Sequence, residues 1–303
     1  MPVEITTRCI QARYLLKPSP EVNDLILGVI GRAQSRYPKV RLYMLVVMSN
    51  HMHMLASAPK VKQISRFMNH VNGNIAKEIG KLHQWSDKFW SSRYASLNIL
   101  DDEALIGRAR YLLSNGVKED LVEKAGDWPG VNCVRALCKG EQLFGTWVDR
   151  TREFELRRRK KPKDDDAGTR YPIRLSPLPC WADLPPSAQQ TRWRHLLRDV
   201  EQEQRQRRKQ EDAPIVGADG VRMQDPHFRP PNPDQSPQPI CHASDPETIK
   251  QYLQDYYMFV DKYRELLEQL ISGHIEALDL FPEGCFIPTF AVKRFKDRPR
   301  APD

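Results

Sequence analysis

An α+β fold built on one antiparallel sheet is predicted by three features of this 303-residue sequence. Short β-patterned stretches rich in Val, Leu, Ile and Met alternate with amphipathic helical stretches through the first half of the chain. Their order is strand, helix, strand, strand, helix, strand, then one further helix, and the first six match the βαββαβ pattern of ferredoxin-like sheets. The third strand carries His51 and His53, and residues two apart on a strand point to the same face.

Each element has a local reason. Val3, Ile5, Ile10, Tyr14 and Leu16 alternate loosely and predict a strand or two over residues 3–16. Ser19-Pro20-Glu21 is a helix start, with a capping Ser, Pro at the first helical position and an acid behind it. Val22, Leu25, Ile26, Val29, Ile30 and Ala33 then recur at helical spacing until Pro38. Val40 to Met48 and His51 to Ser57 read as neighbouring strands joined by the turn-prone Ser49-Asn50. Val61, Ile64, Met68, Val71, Ile75, Ile79 and Leu82 predict a long amphipathic helix with Lys62, Arg66, Lys77 and Lys81 on its polar side. Phe89 to Ile99 reads as a strand. Asp101-Asp102-Glu103 caps a further helix, expected to stop at Gly116. In this topology two helices cover one face of the sheet, and the added helix has the other face to occupy.

Beyond about residue 125 the pattern weakens, and the chain is read as residues 1–130 and a mainly helical and irregular extension, 131–303. Arg157 to Lys163 is a basic run followed by Asp164-Asp165-Asp166, read as an exposed loop. Residues 187–211 look helical and highly charged. Residues 212–245 look like an extended linker, Asp245 caps a helix to about Ala277, and Arg294 to Asp303 is a charged tail. The formal net charge of +8 and pI of about 9.1 suit a polyanionic partner, and suit a solvated basic surface equally. Six cysteines without CxxC or zinc-like spacing imply reduced thiols and a cytoplasmic protein. No apolar run is long enough to span a membrane, and Met1-Pro2-Val3-Glu4 carries no signal-peptide pattern.

Two imidazoles side by side on a rigid strand form half of a metal site, although two satisfied histidines give the same spacing. On the helix after Asp101, Leu105, Ala109 and Leu112 form an apolar stripe, while Arg108, Tyr111 and Asn115 share another face. A Tyr with Asn one turn later can supply a nucleophile and a third ligand together. Two His, an Asn and a Tyr hydroxyl are the parts needed for phosphodiester cleavage with a divalent ion. Trp90 is a candidate for stacking on unpaired bases or for the core.

Asn50-His51-Met52-His53-Met54-Leu55 resembles the HUH motif of single-tyrosine transposases. Phe89-Trp90-Ser91-Ser92-Arg93-Tyr94, Tyr111-Leu112-Leu113-Ser114-Asn115-Gly116-Val117 and Asp127-Trp128-Pro129 resemble further blocks of the REP-associated tyrosine transposases, in the insertion-sequence-200-like family. Gly116 departs from the family, which usually has Pro there. The resemblance covers roughly residues 3–130. It implies an HUH fold, Mg²⁺ or Mn²⁺, and single-stranded DNA, hairpins foremost, as substrate. It also implies His51, His53 and Asn115 as metal ligands and Tyr111 as nucleophile. Arg108, Arg93, Trp90, Lys62 and Arg66 are candidate DNA contacts, and the protein is expected to be a monomer or a dimer. Two other readings stay open: a hairpin-binding protein without cleavage, and a two-tyrosine replication initiator using Tyr252 and Tyr256.

Overall fold

Strands β1 (Val3–Arg8), β2 (Arg41–Val47), β3 (His51–Ser57) and β4 (Ala95–Ile99) pair antiparallel, with α1 (Pro20–Arg36) and α2 (Val61–Leu82) as the connections of the βαββαβ unit. There follow α3 (Asp102–Lys118), α4 (Val134–Lys139), β5 (Leu143–Val148), α5 (Arg150–Arg158), β6 (Gly168–Ile173), α6 (Pro186–Glu211), α7 (Gly217–Met223), β7 (Cys241–His242) and α8 (Pro246–Ile271). The structure, a computed structural model, describes residues 1–158, 167–231, 239–282 and 285–287. It divides into two compact units, Met1–His242 and Ala243–Asp303.

The sheet order is β2-β3-β1-β4-β7, so β3 and β1 are central and the β1–β4 core has the ferredoxin-like arrangement. β7 adds a short parallel pair to β4. Period-2 alternation sorts the side chains onto two faces. Ile5, Leu45, Met52 and Met54 meet Val22, Ile26 and Ile30 of α1 and Phe67, Met68, Val71 and Ile75 of α2. Phe67 is fully buried there, and its truncation to Ala costs about 3–5 kcal/mol. Met44, Val46 and Leu55 point the other way, against Leu105, Ala109 and Leu112 of α3. A bulge between Leu42 and Met44 turns Tyr43 onto this second face.

The two-stranded β5–β6 ribbon packs on α1 with almost no gap. A Cβ on Gly28 would lie 2.0 Å from the Thr146 carbonyl oxygen, and one on Gly145 would lie 2.1 Å from the Gly28 nitrogen. Only glycine at both positions allows this backbone-to-backbone approach.

Helix α3 runs to Lys118, past the expected stop. Gly116 is helical, and its role is close packing: a Cβ there would meet Val122 at 3.1 Å and Trp128 at 3.5 Å. The helix closes instead on Asp120, at φ 52°, with Leu121 N–H bonded to Gly116 O (3.0 Å) and Asp120 N–H to Val117 O (3.2 Å). These are the paired bonds of a Schellman end, with Asp in the place glycine usually takes. Two arginines of α6 hold it. Arg207 donates to Lys118 O (3.0 Å) and Asp120 Oδ1 (2.6 Å), and buried Arg208 donates to Val117 O and Glu123 O, both at 3.2 Å. The carbonyls orphaned at the helix end are thereby satisfied.

Other expectations are corrected. The strand expected from Phe89 begins at Ala95, because Phe89 and Trp90 are spent on packing. Their rings are 4.8 Å apart, and the Trp90 indole N–H donates to Asn72 O at 2.9 Å. The expected linker 212–245 contains α7 and β7. The helix capped by Asp245 ends at Ile271 and is followed by a 3-10 turn, Ile275–Leu280. Residues 159–166 of the charged run, 232–238 of the linker stretch and the tail from Arg294 lie outside the described residues. The six cysteines are free thiols.

Candidate active site

The second face of the sheet is apolar at its β2 side and polar where β1 and β3 meet. Thr6 stands opposite His53 in register and Arg8 opposite His51. Glu4 is the diagonal neighbour of His53 and is only 2% exposed. Helix α3 crosses here because its apolar stripe seals the neighbouring core. That anchoring turns Arg108, Tyr111, Asn115 and Lys118, spaced by three and four, toward the polar patch. Together they line a cleft of about 790 Å³.

The His51 and His53 rings lie 4.9 Å apart at 89°, and the Tyr111 ring stands edge-on to His53 at 5.6 Å. His53 Nδ1 is 3.0 Å from Glu4 Oε1 and 3.0 Å from Thr6 Oγ1. A carboxylate can only accept, so Nδ1 carries the proton and Nε2 keeps its lone pair. That Nε2 is buried and without a hydrogen-bond partner among the described residues. His51 Nδ1 lies 2.6 Å from Asn50 Oδ1, and the Asn115 side chain also bonds the His51 ring. Asn115 spends its amide hydrogens on Tyr111 O (3.1 Å) and Leu112 O (3.4 Å), which leaves the acceptor Oδ1 as the atom that meets the His51 ring. An orphaned imidazole nitrogen beside a second imidazole and an amide oxygen fits a small divalent ion. Glu4 stands behind the His53 ring, the position carboxylates take behind histidines in metal sites.

Burial depresses the pKa of both histidines. For His51 the neighbouring His53, Arg8 and Lys118 lower it further, while Asn115 opposes; for His53 it is Glu4 that opposes. The lowered pKa favours the neutral imidazole in both. Burial raises the Glu4 carboxyl. Bonds to His242, His53 and Arg108 and the charge of Arg108 outweigh this and hold it well below the carboxylate range. Arg108 grips Glu4 through Nε (2.5 Å) and Nη2 (3.0 Å), and His242 brings Nε2 to 3.1 Å. The Tyr111 ring carries two cations, Arg108 and Lys118, each 4.0 Å from its centroid. Among the described residues its hydroxyl has no hydrogen-bond partner.

The structure thus brings together His51, His53, Tyr111, Asn115 and Arg108. It does not bring Arg93, Trp90, Lys62 or Arg66 to the cleft. Lys62 and Arg66 are exposed on α2, which covers the opposite face, Arg93 is exposed before β4, and Trp90 packs against the core of that opposite face. Tyr252 and Tyr256 belong to α8 in the other unit. Sequence reasoning missed Glu4, Thr6, Arg8, Lys118 and His242. The alternation Val3, Ile5 against Glu4, Thr6, Arg8 was a usable signal for the first three, since a charged residue inside a central strand needs a partner. His242 had no local signal.

Fold and site together define a class: a ferredoxin-like sheet whose central strand presents a His-x-His pair to a tyrosine on an added helix. Residues 13–112 match the family model described as "Transposase IS200 like", so the resemblance drawn from the motifs is shown over that stretch. The match includes His51, His53 and Tyr111 and stops short of Asn115. Among solved structures, one described as a REP-associated tyrosine transposase bound to a REP hairpin is 18% identical, with a TM-score of 0.39 over 46% of this chain and 80% of that one. A putative transposase from Deinococcus radiodurans is 17% identical, with a TM-score of 0.29 over 38% of this chain and 89% of that one. No curated protein matches the chain. No helix among the described residues is long and apolar enough to cross a membrane.

Proposed function

We propose that this protein is a metal-dependent transposase that cleaves and rejoins single-stranded DNA, hairpins foremost, through a 5′-phosphotyrosine on Tyr111. The observation that carries the reading is the meeting of the Tyr111 ring with His53, whose Nε2 is left without a partner. His51, His53 and Asn115 would hold Mg²⁺ or Mn²⁺, which when bound polarises the scissile phosphate and stabilises its developing charge. The Tyr111 oxygen attacks phosphorus and loses its proton. The P–O3′ bond breaks, and the departing 3′ oxygen takes up a proton to leave a free 3′-hydroxyl. The phosphodiester is exchanged rather than spent, so a second 3′-hydroxyl can reverse the step and join a different strand. Lys118 and Arg8, which line the same cleft, supply positive charge for the backbone.

The test is incubation of labelled hairpin oligonucleotides with and without Mn²⁺, read on a denaturing gel. Wild type, Tyr252→Phe and Tyr256→Phe should form a denaturant-resistant adduct carrying the 5′ side of the cut. Tyr111→Phe should bind the same DNA and form none, and His51→Ala or His53→Ala should abolish cleavage while sparing binding. An adduct that persists in Tyr111→Phe and vanishes in Tyr252→Phe or Tyr256→Phe overturns the assignment. Binding without any adduct in the wild type leaves the hairpin-binding reading.

A further inference from the structure

We propose that Glu4 is the positioning residue of this site: one buried carboxylate sets the tautomer of His53 and, through Arg108, the placement of the Tyr111 ring. The proposal rests on the reading of His53 as a metal ligand. Glu4 is 2% exposed, near the start of a central strand, where a buried acid survives only if its oxygens are taken. Oε1 faces His53 Nδ1 at 3.0 Å and Arg108 Nη2 at 3.0 Å, and Oε2 faces Arg108 Nε at 2.5 Å and His242 Nε2 at 3.1 Å.

Two consequences follow from acceptor-only chemistry. The His53 proton is fixed on Nδ1, so Nε2 stays a lone pair aimed away from Glu4. The Thr6 hydroxyl, also 3.0 Å from Nδ1, could favour either tautomer by itself, since it donates or accepts. Arg108, held at two points, sits over Tyr111 at 4.0 Å from the ring centroid. One carboxylate therefore bears on both halves of the chemistry, on His53 directly and on Tyr111 through Arg108. His242, from a strand far along the chain, brings its ring to 3.1 Å from the same group, which places β7 beside the site.

Glu4→Gln keeps the shape and replaces one acceptor oxygen by an NH₂. Facing His53, that amide donates to Nδ1 and drives the proton to Nε2, the nitrogen the ion needs. Two readouts test this on metal-free full-length protein with selectively ¹⁵N-labelled histidine. NMR should show wild-type His53 protonated on Nδ1 and the Glu4→Gln variant shifted toward Nε2–H. Mn²⁺ titration by electron paramagnetic resonance should show affinity about 10–100-fold weaker in Glu4→Gln, as for other partners standing behind metal ligands. His53→Ala separates the two proposals. If His53→Ala binds Mn²⁺ like wild type, the metal-site reading fails and this inference with it. If His53→Ala loses Mn²⁺ but Glu4→Gln keeps wild-type affinity, or wild-type His53 is protonated on Nε2, the role of Glu4 alone is overturned. Should Glu4→Gln not fold, the wild-type tautomer decides.

Discussion

Replacing Arg208 by Ala should loosen the helix that carries Tyr111, although residue 208 lies far along the chain from it. The Arg208 side chain is 7% exposed and donates to Val117 O and Glu123 O, with Asp120 at 3.8 Å. A hydrogen bond from a charged donor contributes about 1.5–3 kcal/mol, so two such bonds bring the expected loss to about 3–6 kcal/mol. The Asp120 contact adds little, because Arg207 keeps that carboxylate paired at 2.6 Å. For a unit of this size each kcal/mol moves Tm by about 2–4 °C, giving a fall on the order of 10 °C. Arg208→Met, which retains the apolar stem, should recover part of the loss and thereby separate packing from carbonyl capping. Thermal melts of the three proteins, followed by adduct yield at a temperature where all are folded, measure both effects. The last turn of α3 holds Asn115 and Lys118, so adduct yield should fall while Tyr111 is intact. A Tm within about 2 °C of wild type for Arg208→Ala, on the same scale, would refute the capping argument.

Gly28→Ala forces a methyl into the Thr146 carbonyl and should cost more than about 3 kcal/mol or prevent folding, whereas Gly73→Ala, with open space around it, should stabilise by about 0.5–1 kcal/mol; a denaturant series compares them. Because the folded-state pKa values of His51 and His53 lie below the ordinary 6.5, the unfolded chain binds more protons as pH falls through that value. Their contribution is complete above about 6.5 and is lost on acidification at up to about 1.4 kcal/mol per pH unit for each histidine; urea midpoints that stay flat from pH 7.5 to 5.5 contradict this. Glu4, depressed below its ordinary 4.5, does not titrate in that window. Affinity for single-stranded DNA should fall with salt, log K dropping by about 0.7 per phosphate neutralised, and a salt-independent affinity would argue against nucleic acid as the partner.

What the sequence by itself determined was periodicity and order. Alternation put His51 and His53 on one face of a strand, and three-and-four spacing put Arg108, Tyr111 and Asn115 on one face of a helix, because both patterns follow from backbone geometry within a few residues. The capping signals at Ser19, Asp101 and Asp245 were legible for the same reason: each side chain bonds an amide two or three residues on. Where alternation came from packing, as at Phe89 and Trp90, the same reading produced a strand that is too long. The tertiary structure alone decided which distant groups meet. Glu4 lies beside His53, Arg108 and His242; Gly28 lies against Gly145; Arg207 and Arg208 close the end of α3. None of these pairings leaves a local pattern, because each partner's conformation is ordinary for its own segment. Burial creates the requirement, leaving a carboxylate, a carbonyl or a bare backbone that needs a partner once water is excluded, and only the folded sheet and helices determine which residue is close enough to supply it.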